Sequence, residues 1–568
     1  MPIQTLPPIV VSKIAAGEVV ERPSSVVKEL IENSLDSGAT QISIEVKGGG
    51  KDLIRVSDNG SGIAEGEIEL AFHRHATSKI SSEADIENLS TLGFRGEALP
   101  TIASVSDVSL ITRNAGDVAG TSLKLESGVI KSRSKQGAPP GTTVTVTNLF
   151  QNVPARLKFL KSTSTESGHI SHMVTQYSMA YPEVKLELLI NGRTTLRSPG
   201  NGSLKDVLVE AYGLDIAESM IELSHEGLLE GHSVRLSGFV SPPTVSRSNR
   251  NYLSFFVNRR WVQSRMLNYS AEEAYRGMLI SGKHPVVVLN IFIPSSEVDV
   301  NVHPTKREVK FRDEGTIFTT VQKAVREALI GKPVVPAINE RTQLTSNAIP
   351  SPIPLPETAR HTPYQARQAL TEVSRGEVST HLPILRIIGQ FHGTYILAEG
   401  PDGLFLIDQH AAHERVLFEK VRRQQADSNI EVQGLLEPVS VDLTASQAEV
   451  ISTHLDELRE SGFDIEQFGE RTYLLRAIPA FLSRQEIVPF LLETIDFLDD
   501  LLTSSTMERI AASLACHGAI KARQALSLQE MEQLLRELEE TASPRTCPHG
   551  RPSIISLDLS RLEREFGR

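Results

Sequence analysis

The sequence predicts an α+β protein of several domains, and three observations carry that reading. The chain has 568 residues, beyond the size at which one hydrophobic core divides, so roughly two to four domains are expected. Strand-like alternation and helix-like periodicity are mixed without the strict strand–helix alternation of a doubly wound sheet. Between two globular-looking parts lies a stretch, 332–383, rich in Pro, Thr, Ser, Gln and Arg and poor in aromatics. It has no sustained period and reads as a disordered linker. At about fifty residues it would span roughly 40 Å root-mean-square. A packed irregular loop is the other reading, uncommon at this length.

The elements are expected in this order. Ser24 or Ser25 can cap a helix that runs to about Asp36, and Gly38 can close it. Val26, Val27, Leu30 and Ile31 supply its apolar face. QISIEVKGGGKDLIRVSDNGSG then reads as two alternating strands joined by a glycine-rich turn. More strands follow around 107–146, completing a first domain over 1–204. A second unit, 205–331, holds YLSFFVN and VVVLNIFI and a helix from about Gly315 to Ile330. Strand, crossover helix and strand would make a small α/β sandwich. From Ile384 the globular pattern resumes and defines a third unit, 384–568. There LFLI reads as a buried strand ending at Asp408, followed by a helix.

Composition sets limits on partners. Hydrophobic residues make up 40% and charged residues 23% of the chain, ordinary for a globular protein. The net charge of -12 argues against a surface coated in basic charge. A local basic groove stays open, so any DNA contact should be patchy and salt-sensitive. Two cysteines, Cys516 and Cys547, are no disulfide framework and suit a reducing compartment. No basic flank precedes a long apolar run at the first residues, and no long uncharged apolar stretch occurs. A cytoplasmic protein without a membrane span is expected.

Glu29, Asn33 and Asp36 stand at i, i+4 and i+7 of the first helix, a polar stripe opposite its apolar face. A carboxylate and an amide one turn apart can hold a metal ion and position a water. Alone, such a stripe is ordinarily a solvated helix face. Asp58 ends a strand and opens DNGSG, where glycines let backbone pass close to a flat ligand. A carboxylate there can accept from an exocyclic amine, although an Asp-Asn-Gly turn explains the pentapeptide by itself. HATSKI follows, with Thr77, Ser78 and Lys79, and then GFRGEAL, Gly93 to Leu99. Glycines ahead of a helix free backbone N–H groups to cradle phosphates. No GxxxxGK[ST] occurs, so this is not the Walker pattern. Gly141-Thr142-Thr143 leads the strand VTVTNLF.

ELIENSLDSGA, DNGSGI, GFRGEAL and GTTVTV in this order resemble the four ATP-binding motifs of the GHKL superfamily, which holds gyrase, a heat-shock chaperone, histidine kinases and MutL. KIAAGEVVERPSSVVKELIENSLDSGA, FHRHATSKI, LGFRGEALPTIASVS and the NVPARLKFLKS block narrow the resemblance to the MutL family of DNA mismatch-repair proteins, closely over about 1–331. It implies a GHKL α/β-sandwich ATPase domain using ATP and Mg²⁺. Glu29 would be the general base and Asn33 the Mg²⁺ ligand. Asp58 would read the adenine amine, with Gly62 and Thr142 beside it. Thr77, Ser78, Lys79, Gly93, Phe94, Arg95 and Gly96 would line the phosphates and their lid. Lys306, after His303-Pro304-Thr305, would reach the γ-phosphate from the second unit; its bland reading is a surface loop lysine. Arg247, Arg250, Arg259, Arg260 and Arg265 surround the single tryptophan, Trp261. Such a group suits a phosphate-tracking groove or a plain solvated loop. Arg265 is the DNA contact the resemblance favours.

In the third unit Asp408, His410, His413, Glu414 and Glu419 are possible ligands, with His410 and Glu414 one helical turn apart. ACHGAIKA sets Cys516 beside His517, and CPHGRP sets Cys547 two residues before His549. His, Cys and carboxylate donors favour Zn²⁺ or Mn²⁺. These segments resemble the endonuclease motifs of nicking MutL proteins. The resemblance makes Asp408 central to cleavage and gives Glu414, Cys547 and His549 to the metal, with His410 and Cys516 nearby. Gln433, Leu435 and Leu436 resemble a motif that docks on the DNA sliding clamp, or simply begin a strand. A homodimer through a C-terminal α+β dimerisation and endonuclease domain, with an outer lobe over about 442–508, and a MutS-type partner are further implications.

The expected function is therefore an ATP-driven mismatch-repair clamp with a latent metal-dependent nicking activity. The alternative is a non-nicking matchmaker whose metal motifs only stabilise the fold. A gyrase-like topoisomerase subunit would need a strand-passage domain and an active-site tyrosine, and a chaperone would not need the nuclease motifs.

Overall fold

The protein is described by a computed structural model covering residues 20–80, 91–93, 96–229, 232–279, 283–299, 309–330, 382–383, 385–401, 403–426, 430–480, 482, 487–498, 506–520, 524–548 and 551–559. Phe94, Arg95, Lys306, His549 and the expected linker up to residue 381 lie outside the described residues.

The first domain is a layered α/β sandwich. Helix α1 (Pro23–Asp36) begins one residue before the expected caps: Arg22 is its N-cap and Pro23 its first residue. Proline needs no N–H there and its ring presets the helical φ, so Ser24 and Ser25 fall inside the first turn. At its end Gly38 adopts φ +76 and donates to Leu35 O, as a helix-closing glycine does. An eight-stranded sheet follows, built from β1 (Gln41–Lys47), β2 (Leu53–Asp58), β3 (Asp107–Arg113), β4 (Gly120–Glu126), β5 (Val129–Gln136), β6 (Gly141–Thr147), β7 (Lys185–Ile190) and β8 (Arg193–Arg197). Its order is β5-β4-β3-β6-β2-β1-β7-β8. Alternation along β1 and β2 turns Ile42, Ile44, Val46, Ile54 and Val56 inward. They meet Val26, Val27, Leu30 and Ile31 of α1 and Ile170, Met173 and Val174 of a long helix over Thr163–Ala180. Each such buried side chain stabilises the fold by about 1.5–3 kcal/mol. In chain order α2 is Ala98–Ser104, α3 is Pro154–Phe159 and α4 is that long helix.

The second domain follows α5 (Leu204–Tyr212) and α6 (Leu214–Ser219). Strands β9 (Ile221–Leu229), β10 (His232–Val240), β11 (Leu253–Val257), β12 (Arg260–Val262) and β13 (Val287–Phe292) form a five-stranded sheet, with α7 (Arg265–Ala274) and α8 (Glu314–Ile330). β11 and β13 run parallel with α7 between them in sequence, the expected strand–helix–strand unit. α8 packs across β9 and β10.

The third unit has two lobes. Antiparallel β14 (Arg386–Phe391), β15 (Tyr395–Gly400) and β16 (Gly403–Asp408) carry α9 (Gln409–Ala426) on one face. LFLI is not wholly buried: Phe405 and Ile407 enter the core while Leu404 and Leu406 face the opposite side. An antiparallel sheet covered on one face alternates in this way. The outer lobe starts at β17 (Val432–Asp442), ten residues earlier than expected (432 against 442), and adds α10 (Ala445–Thr453), α11 (Leu455–Glu460), β18 (Asp464–Gln467), β19 (Thr472–Pro479) and α12 (Ile487–Leu498). The chain then returns as α13 (Thr506–Gly518), packed on α9, α14 (Leu528–Glu539) and β20 (Ile554–Asp558), which joins β16. Among the described residues no helix is long and apolar enough to cross a membrane.

Candidate functional site

The N-terminal site is organised by α1, the end of β2 and the start of β6. Asp58, last residue of β2, accepts from Ser34 Oγ at 2.8 Å, Gly60 N at 2.9 Å and Thr142 N at 3.2 Å. Burial pushes its carboxyl up, against the hydrogen bonds from Gly60, Ser34 and Thr142. Thr142 sits where β6 pairs with β2, and its hydroxyl lies 2.9 Å from that of Thr112. Gly62 has φ +71, and a Cβ there would lie 2.2 Å from Arg113 O. Only glycine permits that approach. A flat polar ligand edge can thus meet an aligned carboxylate with backbone on both sides.

Along α1, Asn33 Oδ1 accepts from Lys79 Nζ at 2.9 Å, and the same ammonium pairs with Asp36 Oδ2 at 2.5 Å. Asp36 also accepts from Leu92 N at 2.9 Å and Gly93 N at 3.0 Å. The expected polar stripe is therefore a cation-holding ledge to which the entry of the glycine-rich segment is pinned. The donor set fits Mg²⁺ with phosphate: a cation already rests on Asn33 Oδ1, supplied by Lys79. Thr77 Oγ1 accepts from Lys79 N at 3.2 Å, and Ser78 is exposed. Gly96 has φ +61 and lies against Ala76, whose carbonyl oxygen a Cβ would meet at 2.4 Å. Glu29 pairs with Lys28, Nζ to Oε1 3.1 Å. Sequence reasoning passed over Lys28, Glu32 and Tyr177, a buried set around Glu29; the Lys28–Glu32 spacing of one turn was the available signal.

The arginines do not form one groove. Arg250 binds both Glu272 oxygens, at 2.7 and 3.0 Å. Arg259 pairs with Glu183 and lies over the Tyr181 ring at 4.2 Å. Arg260 is buried and donates to Thr91 O at 3.1 Å, and Arg247 lies over Tyr252 at 5.3 Å. Trp261 is buried, edge-on to His172. The partners of Arg250, Arg259 and Arg260 are distant in sequence, so the local pattern of positive charge could not reveal them. Arg265, first residue of α7, is exposed.

In the third unit, α9 and α13 bring His410, Glu414 and Cys516 together, with one ligand atom from each within 4.8 Å of the others. His410 Nδ1 is 2.9 Å from Ile520 O, which leaves Nε2 facing Glu414 Oε1 at 3.3 Å. Such a backbone partner fixes the tautomer of a metal-ligating histidine. Cys516 and then Glu414 raise the His410 pKa to about 10, against burial. Burial pushes the Cys516 thiol up, while His410 pulls it back. One nitrogen, one sulfur and one carboxylate on facing helices fit Zn²⁺ or Mn²⁺, either of which would take the place of the shared proton.

His413 is drawn elsewhere, accepting from Ile520 N at 2.9 Å, and burial lowers its pKa. Glu419 lies 3.6 Å from Arg415, and His517 turns to Glu493 at 2.7 Å. Cys547 is buried but is not in the described cluster; its loop is tied to α9 by Arg415 Nε donating to Thr546 O at 2.6 Å. Asp408 has a part the sequence did not reveal. Its Oδ1 accepts from His410 N at 3.0 Å and Ala411 N at 3.1 Å, capping α9. Gln433 lies in β17 and donates to Leu482 O at 2.6 Å, Leu435 packs on the outer-lobe core, and Leu436 is 96% exposed.

A sheet backed by α1 and α4, a half-buried carboxylate at a strand end and a glycine-shaped ledge beside it are the arrangement of an ATPase of the gyrase-like class. The family described as "Histidine kinase-, DNA gyrase B-, and HSP90-like ATPase" matches residues 21–153. "DNA mismatch repair protein, C-terminal domain" matches 208–330, and "MutL C terminal dimerisation domain" matches 388–526. The chain is 38% identical over 608 residues to the DNA mismatch repair protein MutL of Geobacter sulfurreducens, covering 100% of this chain and 99% of that one. It is 41% identical over 572 residues to MutL of Desulforudis audaxviator, with the same coverage. A crystal structure of the N-terminal domain of a DNA repair protein superposes with TM-score 0.50 at 26% identity, covering 56% of this chain and 98% of that one. The chain belongs to the MutL family of DNA mismatch repair proteins.

Proposed function

We propose that the chain is an ATP-driven homodimeric clamp that couples mismatch recognition by a MutS-type protein to repair and nicks DNA at its C-terminal metal centre. Glu29 orients the attacking water, Asn33 holds Mg²⁺, and Asp58 with Thr142 and Gly62 holds the adenine. Thr77, Ser78, Lys79, Gly93, Phe94, Arg95 and Gly96 attend the phosphates, and Lys306 reaches in from the second domain. Phosphoryl transfer needs this positioning and charge neutralisation more than covalent help. Arg265 contacts DNA, and Leu436, with Gln433 and Leu435, docks on the sliding clamp. A cytoplasmic setting suits the two free cysteines.

The observation that carries the nuclease reading is the convergence of His410, Glu414 and Cys516 beside the helix that Asp408 begins. A divalent metal held there, with Cys547 and His549 as further ligands, supplies Lewis-acid charge for phosphodiester cleavage. The protein's part is to orient those donors and to keep Asp408 at the helix start. The homodimer reading is supported by a face of the first C-terminal sheet that is open among the described residues, where Phe391, Tyr395 and Ile555 are 57%, 39% and 57% exposed. A second copy would cover such a patch.

The test is nicking of supercoiled plasmid with Mn²⁺ by the parent and by Asp408→Asn. Asparagine also caps helices well, so α9 should persist and a loss of nicking in the variant would be chemical. Nicking by the parent alone supports the endonuclease. No nicking by the parent, even with clamp and ATP, returns the chain to the matchmaker reading, in which Asp408 is a cap and the metal is structural.

A further inference from the structure

Lys28 occupies an unusual position on α1. Its ammonium lies 3.1 Å from Glu29 Oε1 and 2.9 Å from Glu32 Oε1. Glu32 Oε1 also accepts from Tyr177 OH at 2.6 Å, which ties the set to α4. Lys28 is 6% exposed and Glu32 1%, whereas the Glu29 side chain is the most open of the three at 17%. Burying an ammonium is costly unless it is paired. Burial alone would lower the Lys28 pKa, but Glu29 and Glu32 together raise it, so the group stays charged.

Stability alone would need only one of these carboxylates. Glu32, one turn on, already neutralises Lys28 and is itself held by Tyr177. Residues adjacent in a helix do not ordinarily face one another, so the contact with Glu29 is an addition. It joins the most open carboxylate to a buried anchor built from two helices. The ammonium between them also offsets the repulsion of Glu29 and Glu32. A glutamate with its full rotamer freedom spends little time in any one orientation; tied to a rigid ammonium, it keeps one.

We propose that Lys28 is a positioning residue for ATP hydrolysis: anchored by Glu32 and Tyr177, it holds the Glu29 carboxylate in the orientation that activates water. The inference rests on the reading of Glu29 as general base.

The experiment measures steady-state ATPase of the full chain, binding of a fluorescent non-hydrolysable ATP analogue, and thermal unfolding. The variants are Lys28→Met, Lys28→Arg, Tyr177→Phe and Glu29→Gln. Lys28→Met is expected to lower kcat about 10²-fold, the scale of a misplaced catalytic group, with the analogue Kd unchanged. Lys28→Arg should recover most of the loss, and Tyr177→Phe should lower kcat by less than Lys28→Met. A folded Lys28→Met with parental kcat overturns the proposal, as does a Kd that rises in step with the loss. If Lys28→Met does not fold, Tyr177→Phe decides: reduced kcat at unchanged Kd supports the anchor, and parental kcat overturns it. Glu29→Gln separates the two ideas. Parental turnover there ends the reading of Glu29 itself; its loss beside parental turnover in Lys28→Met ends only the role of Lys28.

Discussion

Asp58 is surrounded by donors: Ser34 Oγ, Gly60 N and Thr142 N all point at it. His410, Glu414 and Cys516, at the other end of the chain, point chiefly at one another, and the cluster exists only because α13 packs on α9. The first site is set largely by backbone: a strand end, a glycine turn and a helix ledge. The second is set by three side chains on two helices. The difference teaches where each is vulnerable. A site cradled by backbone loses affinity in steps as single side chains are removed. A site of mutually facing donors fails at once when any donor goes, since each is hydrogen-bonded to the other two.

The sharpest way to break this comparison is Cys516→Ala. Outer partners alone change metal affinity about 10–100-fold, so loss of a direct donor should weaken Zn²⁺ or Mn²⁺ binding by at least about 10²-fold. Metal titration with native mass spectrometry checks this, and the nucleotide Kd should not move, because distant sites act independently. A variant that keeps metal affinity would show that the three side chains are a hydrogen-bonded core and not a ligand set. Next in size is Asp58→Ala. It removes the acceptor expected to read the adenine and leaves the Ser34 hydroxyl and two backbone N–H groups unpaired. A hydrogen bond to a charged group contributes about 1.5–3 kcal/mol, so Kd for an ATP analogue should rise roughly tenfold to a hundredfold. Calorimetric titration measures it. An unchanged Kd would mean that the ligand edge lies elsewhere, and the contrast between the sites would lose its first half.

The two sites also differ in how far they could be read from the chain. The placement of Asp58, Asn33 and Gly62 was legible because short-range patterns set it (a strand end, a helix stripe, a turn), while the roles expected of them came from the family resemblance. His410 and Glu414 were legible as one turn of one helix. Whatever depends on a partner far along the chain was not. Lys28 is half of an obvious helical pair, yet its burial under α4 and Tyr177 is tertiary. Arg250 and Arg259 looked available to phosphates until Glu272 and Glu183 took them. Asp36 gave no sign that it would pin Leu92 and Gly93. Asp408 stood out as a candidate for cleavage but was hidden as a helix cap. A residue's type announces what it can bind; the fold decides what it already holds.

That rule separates the three residues of the clamp-docking segment and sets the smallest expected effect. Gln433 is engaged with Leu482 O and Leu435 with the outer-lobe core, whereas Leu436 stands 96% exposed where β17 shifts register between Gly434 and Val439. An exposed leucine on an edge irregularity contributes nothing to its own fold, so Leu436→Ala should leave thermal stability within about 0.5 kcal/mol of the parent. Burying a whole leucine side chain in a partner's pocket would contribute about 1.5–3 kcal/mol; alanine keeps its Cβ and so part of that burial, and the variant should bind the sliding clamp roughly tenfold more weakly. Surface plasmon resonance against immobilised clamp measures this. Gln433→Ala is the informative contrast, because it should lower the melting temperature of the outer lobe whether or not it touches the clamp. Clamp binding that survives Leu436→Ala unchanged would mean that the register shift serves only the strand, and that the docking surface lies elsewhere.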